Sequence, residues 1–180
     1  MEIADEVLIQ NTLGGAIDSF DELMRRYERL VFKIAYSFGG SRENALDITQ
    51  TVFLKAYNNL RAFRTDSSFK TWLLRITYNE GISWKRSPRN RADIYKDVED
   101  EVLPFQANQE SDLLEREQHQ MIRSGLNSLN SRYRTAILLR YVHDMPIREI
   151  AGVLQCSESM TKNILFRSVR SLRRTLVQPG

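Results

Sequence analysis

Apolar positions recur at steps of three and four along nearly the whole chain, and no segment sustains the alternation of a half-buried strand. That spacing predicts helices. A short amphipathic one spans Ile3–Leu13 and closes at Gly14-Gly15. Asp18 or Ser19 is placed to cap the next. In that helix Phe20, Leu23, Met24, Tyr27, Leu30, Val31, Ile34, Ala35 and Phe38 form the inner stripe, and Gly39-Gly40 ends it. Ser41 caps a third helix, with Ala45, Ile48, Val52, Phe53, Ala56, Tyr57 and Leu60 turned inward. After a loop from Arg61 to Ser68, a fourth helix runs from about Phe69 to Lys85 and buries Trp72, Leu73, Ile76 and Ile82.

Pro88 interrupts the pattern. From Ser87 to Ser111 there is no period, only charge, Asn, Gln and Pro104. Such a stretch, about 25 residues, is longer than connections inside one compact domain usually are, so it reads as a flexible linker. The expected fold is all-α: one small helical domain over 1–86, a linker over 87–111 and a second domain over 112–180. In the second, Leu113, Leu114, Met121, Ile122 and Leu126 make one stripe. Tyr133, Ile137, Leu138, Tyr141 and Val142 make another. Then Ile147–Leu154 reads as a short helix, Gln155-Cys156-Ser157 as a tight turn and Glu158–Leu176 as a long helix. That is a helix-turn-helix, the shape that enters a DNA major groove.

Charge sharpens the picture. The net charge is only +3, but it is segregated. Residues 1–22 carry Glu2, Asp5, Glu6, Asp18, Asp21 and Glu22 and no base. Lys85-Arg-Ser-Pro-Arg-Asn-Arg91 is basic, and Asp93–Glu117 is strongly acidic. The final helix carries Lys162, Arg167, Arg170, Arg173 and Arg174, and no acid after Glu158. Such blocks suggest separate surfaces for separate partners.

Little else offers chemistry. Cys156 is the only cysteine, and His119 and His143 lie far apart, so no metal site and no cofactor are expected. No Ser/His/Asp set, phosphate-cradling glycine loop or paired carboxylates point to an enzyme. No basic-then-apolar leader and no bilayer-length apolar run are visible, so the expected compartment is the cytoplasm, with no membrane partner. The chain stops at Gly180, so no further regulatory domain is expected.

Three runs carry a resemblance. Phe69-Lys-Thr-Trp-Leu-Leu-Arg-Ile-Thr-Tyr-Asn79 resembles the "F-x-T-W-L-x-R-I-A-x-N" signature of extracytoplasmic-function sigma factors of the sigma-70 family. Asn44-Ala-Leu-Asp-Ile-Thr-Gln-Thr-Val-Phe-Leu-Lys-Ala-Tyr57 is similar to their "A-E-D-L-x-Q-E-x-F-L-x-A-Y" segment. Leu129-Asn-Ser-Arg-Tyr-Arg-Thr-Ala-Ile-Leu-Leu-Arg-Tyr141 is similar to their "L-P-x-x-Y-R-x-x-x-x-L-R-Y" helix. The runs stand in the family's order, and the likeness extends from about Asp18 to Arg174. It implies sigma regions 2 and 4: an initiation factor, not an enzyme, that binds core RNA polymerase at its clamp coiled coil and flap. The first domain would read and open the −10 promoter element, and the second would read the −35 element.

The resemblance also assigns residues. Lys162, Asn163, Phe166 and Arg167 match the −35 base contacts. Lys or Arg suits guanine and Asn suits adenine, each worth roughly 1–3 kcal/mol of discrimination. Arg170, Arg173 and Arg174 fit phosphates, or simply a solvated helix end, and Phe166 is equally a core candidate. The loop Phe63-Arg-Thr-Asp-Ser-Ser-Phe69 matches the −10 base-capturing loop, with Phe63, Arg64, Asp66, Ser67 and Phe69 as candidates and Asn79 lining the pocket. Lys70, Arg75, Lys85 and Arg86 would hold the single-stranded backbone. The alternative is that Asp66, Ser67 and Ser68 cap a helix while Phe63, Phe69 and Trp72 are core. Asp47, Gln50, Thr51, Leu54, Lys55 and Asn58 would dock on polymerase, or form an ordinary polar face.

The reading helix departs from the family's "G-T-V-K-S-R-L-x-R-A-R". Gln155 stands where Gly is common, Ser159 replaces Gly, Thr161 replaces Val, and Ile164 and Val169 each replace Arg. Two lost cations would weaken −35 binding and its salt dependence, so readout is expected to be weak or to need a recruiting protein. An anti-sigma factor is a further expected partner. The competing function is a stand-alone helix-turn-helix regulator that dimerises on a palindrome.

Overall fold

The computed structural model describes residues 3–64, 66–87, 121–122 and 124–177. Most of them are helical, with no strand among them. The chain divides into two compact units, one up to Val98 and the other from Glu99. The linker expected over 87–111 lies outside the described residues apart from Ser87, as do His119 and the stripe residues Leu113 and Leu114.

The N-terminal unit contains α1 (Asp5–Leu13), α2 (Ile17–Gly39), α3 (Arg42–Asn58), a single 3₁₀ turn (Leu60–Ala62) and α4 (Phe69–Arg86). Helix α2 packs on the other three. Leu23, Ile34, Ile48, Leu73 and Leu74 are almost fully buried, and burial of such a side chain stabilises by about 1.5–3 kcal/mol. Helix α2 begins earlier than the cap residues suggested. Its N-cap is Ala16, with no side-chain cap, and Asp18 and Ser19 fall inside the first turn. There the Asp18 charge complements the helix N-terminus instead. Gly40 ends α2 at φ 74, a left-handed conformation that glycine adopts without strain. Ser41 then caps α3, its Oγ accepting from the Asn44 amide at 3.2 Å.

Two contacts lock the unit. Asp5 of α1 pairs with Arg26 and accepts from the Tyr27 hydroxyl, both on α2. Gly81 of α4 sits against Phe38 of α2, and a Cβ there would lie 2.3 Å from the ring. Inward residues differ slightly from expectation. Ile76 and Ile82 are only half-buried, Leu74 takes a core position, and Tyr57 is 42% exposed with its ring edge-to-face on Phe20 at 5.1 Å.

The first described residues of the C-terminal unit, 121–122 and 124–128, are helical. The unit continues with α5 (Ser131–Ile137), a π-helical segment (Leu138–Val142), α6 (Ile147–Leu154) and α7 (Glu158–Val177). Asn130 caps α5. Arg134 donates to the carbonyls of Leu126, Asn127 and Leu129 at 2.8, 2.6 and 3.2 Å. It thereby satisfies the carbonyls left open where the preceding helix ends. The expected stripe through Tyr141 and Val142 is corrected here. The π segment adds a residue to its turn, shown by the His143 amide reaching the Leu138 carbonyl at 3.1 Å. Tyr141 and Val142 therefore rotate outward, to 60% and 37% exposure, and Met145 fills the core.

Candidate nucleic-acid interface

The apolar period of α6 buries Ile150, Ala151, Val153 and Leu154 and leaves Arg148 on the surface. Gln155 closes the helix in the left-handed region (φ 52, ψ 52), a conformation that costs a side-chain-bearing residue energy. Its neighbours fix the turn. The Cys156 amide bonds the Ala151 carbonyl at 3.1 Å, and the Ser157 Oγ accepts from the Met160 amide at 3.2 Å. The Thr161 hydroxyl donates to the Ser157 carbonyl at 3.0 Å. The angle between α6 and α7 is thus held by backbone, hydroxyl and packing together.

Helix α7 has two unlike faces. Thr161, Ile164, Leu165 and Ser168 point into the unit. Lys162, Asn163, Phe166, Arg167, Arg170, Arg173 and Arg174 are all exposed, Phe166 at 67%. The alternative placement of Phe166 in the core is therefore excluded. None of the five cations has a carboxylate partner among the described residues. The far end of α7 is pinned: Ser128 and Thr175 share a hydrogen bond at 3.3 Å, and Leu172 packs so close that a Cβ on Gly125 would meet it at 2.8 Å. The two positions that lack the motif's cations differ in place: Ile164, 5% exposed, packs in the core, and Val169, 41% exposed, stands on the open face.

In the N-terminal unit, the loop after Ala62 stands on aromatic rings. Phe63 lies 5.8 Å from Phe69 and 5.4 Å from Trp72, Phe69 lies 5.7 Å from Trp72, and Tyr27 lies 5.7 Å from Phe69. Phe69 is 2% exposed and Trp72 8%. Of the two readings of these rings, the structure supports core for both. A buried Phe69 has no free face for a base, so the expectation that it touches DNA is corrected. Phe63 is half-buried, Arg64 and Asp66 are exposed, and Ser67 is half-buried. Ser68 is the cap of α4, accepting from the Thr71 amide at 3.1 Å. Arg75, Asn79 and Arg86 are exposed along α4, with Lys70 and Lys85 half-buried. Loop tip and cations thus belong to one helix and its N-terminal approach.

The outer face of α3 carries Asp47, Gln50, Leu54, Lys55 and Asn58, all exposed, and Thr51, whose hydroxyl donates to the Asp47 carbonyl at 2.9 Å. Lys55 pairs with Glu80 of α4, so it ties two helices together. Sequence reasoning missed Leu46 and misplaced Tyr57. With Leu54 at 62%, Leu46 at 39% and Tyr57 at 42% they leave an apolar stripe exposed. The signal was present: Leu46, Gln50 and Leu54 stand at i, i+4 and i+8, opposite the core stripe. Exposed Arg148 at the start of α6 was also missed, and its isolation from other cations in the sequence explains why.

Comparison with known proteins gives these two halves a frame. The family model described as Sigma-70 region 2 matches residues 23–91, and that described as Sigma-70, region 4 matches residues 119–172. The chain is 28% identical to the ECF RNA polymerase sigma factor SigW of Bacillus subtilis (strain 168), covering 98% of each. It is 29% identical to the ECF RNA polymerase sigma-E factor of Escherichia coli (strain K12), covering 99% of this chain and 96% of that one. Among solved structures, CnrH in complex with the cytosolic domain of CnrY shares the fold at a TM-score of 0.71 and 24% identity, over 97% of each chain. The sigma factor RpoE in complex with the anti-sigma factor NepR from Bartonella quintana does so at 0.68 and 23%, over 87% of this chain and 96% of that one.

Proposed function

The chain belongs to the sigma-70 family, in its extracytoplasmic-function class, and from that premise we propose which of its surfaces performs each step. As a sigma factor it binds core RNA polymerase and directs promoter-specific initiation of transcription. Sigma factors in general are not enzymes, and no catalytic residue or cofactor is assigned to this one.

The N-terminal domain, residues 1–86, docks on polymerase through the outer face of α3 and captures the −10 element. Arg64, Asp66 and Ser67 form the tip that meets a flipped base, and Phe63 braces it. Flipping a base costs a few kcal/mol, which pocket contacts offset. Asn79 lines the pocket, while Lys70, Arg75, Lys85 and Arg86 hold the separated strand by charge. The C-terminal domain, residues 112–180, lays α7 in the major groove of the −35 element. Lys162, Asn163, Phe166 and Arg167 face the bases, and Arg170, Arg173 and Arg174 face phosphates. Residues 87–111 tether the two. The place of action is the cytoplasm.

The observation that carries this reading is the coincidence of two surfaces in one chain: a cationic face on α7 with no carboxylate partner among the described residues of one unit, and a loop on a buried aromatic base beside exposed α4 cations in the other. A weak or helper-dependent −35 readout rests on the two positions where a cation of the family motif is missing, Ile164 in the core and Val169 on the open face. Because neighbouring folds are complexes with a partner's cytosolic domain or an anti-sigma factor, a protein inhibitor of similar kind is proposed here too. Run-off transcription on genomic fragments with core polymerase tests the whole. Discrete start sites are expected. No transcript, together with a DNA-bound dimer that ignores polymerase, would establish the stand-alone regulator.

A further inference from the structure

We propose that the open face of α2 is a second contact for single-stranded DNA, with Arg29 and Lys33 holding phosphates and Phe32 offering a ring to a base. Arg29 and Lys33 stand four residues apart on the same face of a 23-residue helix. Like charges at that spacing destabilise a helix. Neither cation has a carboxylate partner among the described residues. Arg29 is exposed and Lys33 half-buried, and the Lys33 ammonium is held below its ordinary pKa of 10.5 by burial first and by Arg29 second. Arg25, one turn earlier, differs: Glu22 faces it at 3.5 Å, so it is not counted in the contact.

Between the two cations in sequence lies Phe32. It is half-buried, with its ring centroid 6.3 Å from that of Tyr36, itself 5% exposed. One side of Phe32 is thus braced and part of it is open. Unpaired cations beside a partly open aromatic ring are how proteins hold single strands without reading sequence. A cation pair left uncompensated disfavours the folded chain slightly, and an arriving polyanion removes that penalty. The proposal rests on the initiation role, because only an opened promoter supplies the strand. The cations make it sequence-independent, unlike the loop and α4.

The test uses holoenzyme on a promoter fragment with a premelted bubble, its affinity followed against salt by anisotropy. The R29Q/K33Q variant removes a like-charge pair, so it is expected to melt at or above the wild-type temperature. Two lost contacts flatten the log–log salt slope by about 1.4, at about 0.7 per single-strand phosphate. The affinity defect is then about sevenfold larger at 50 mM than at 200 mM salt. The R29K/K33R variant keeps the wild-type slope. An unchanged slope in R29Q/K33Q overturns the proposal, as does a defect confined to binding core polymerase, which would assign the face to an acidic protein surface. Wild-type holoenzyme that binds no promoter fragment at all sinks the initiation role instead.

Discussion

The two proposed DNA contacts are built in opposite ways. In the C-terminal unit the proposed surface is a regular helix, whose backbone is satisfied internally and whose candidate reading side chains all project from one face. In the N-terminal unit the proposed contact is a loop whose two end residues, Phe63 and Phe69, both pack on Trp72. A helix presents a fixed pattern to a groove that already exists. A loop beside cations suits a base that must first be pulled from its stack. The lesson is that the N-terminal loop shares its residues with the core, while on α7 the buried and the outward residues are separate positions.

The sharpest way to break this contrast is Phe69→Ala. Truncation of a buried Phe costs about 3–5 kcal/mol, and urea unfolding of the full chain should show that loss together with failure to open promoters. If opening survived in the folded fraction, the loop would not need its aromatic base. Arg134→Met probes the other unit. It leaves three carbonyls without their donor, an expected cost of about 1.5–3 kcal/mol by thermal melting, with polymerase binding by the N-terminal unit retained. Within α7, Arg167→Ala should cost roughly 1–3 kcal/mol against one base pair only. Arg173→Ala should instead lower affinity evenly across sequences and flatten the salt slope by about 0.9. Gel-shift competition with single-base promoter variants separates the two.

Smaller effects test details of the turn and of α2. Gln155→Gly relieves a left-handed side-chain residue and should stabilise by up to about 1 kcal/mol, visible as a raised melting temperature. Lys33 gives the weakest signal. Its folded pKa lies below the unfolded 10.5, so the unfolded chain binds more protons between those values and stability rises with pH across that window. Denaturant titrations of wild type and Lys33→Met up to pH 10.5 should converge as pH rises, with Lys33→Met the more stable at neutral pH.

Much of this was legible from residue order. Periodicity gave α6 its observed ends and placed Ser41 as a cap, because an amphipathic stripe and a capping hydroxyl are local facts. What escaped was set by non-local or irregular structure. One π segment moved Tyr141 and Val142 to the surface, and no three-to-four-residue pattern contains that extra residue. Lys55 belongs to a pair with Glu80, a partner 25 positions away. At the sites, exposure of the α7 cations followed from charge, which seldom tolerates burial. The aromatic loop residues could not be assigned, since Phe69 and Phe63 carry the same chemistry and differ only in what packs over them.

Helix α7 divides its labour cleanly: the residues that seat it, Thr161, Ile164, Leu165 and Ser168, share no position with those that face outward. With the outward residues reading promoter DNA as proposed, mutation can explore new promoter preferences without threatening the scaffold. A descendant could acquire another set of target genes through a handful of surface changes. The N-terminal loop, welded to its own interior, has far less room to drift.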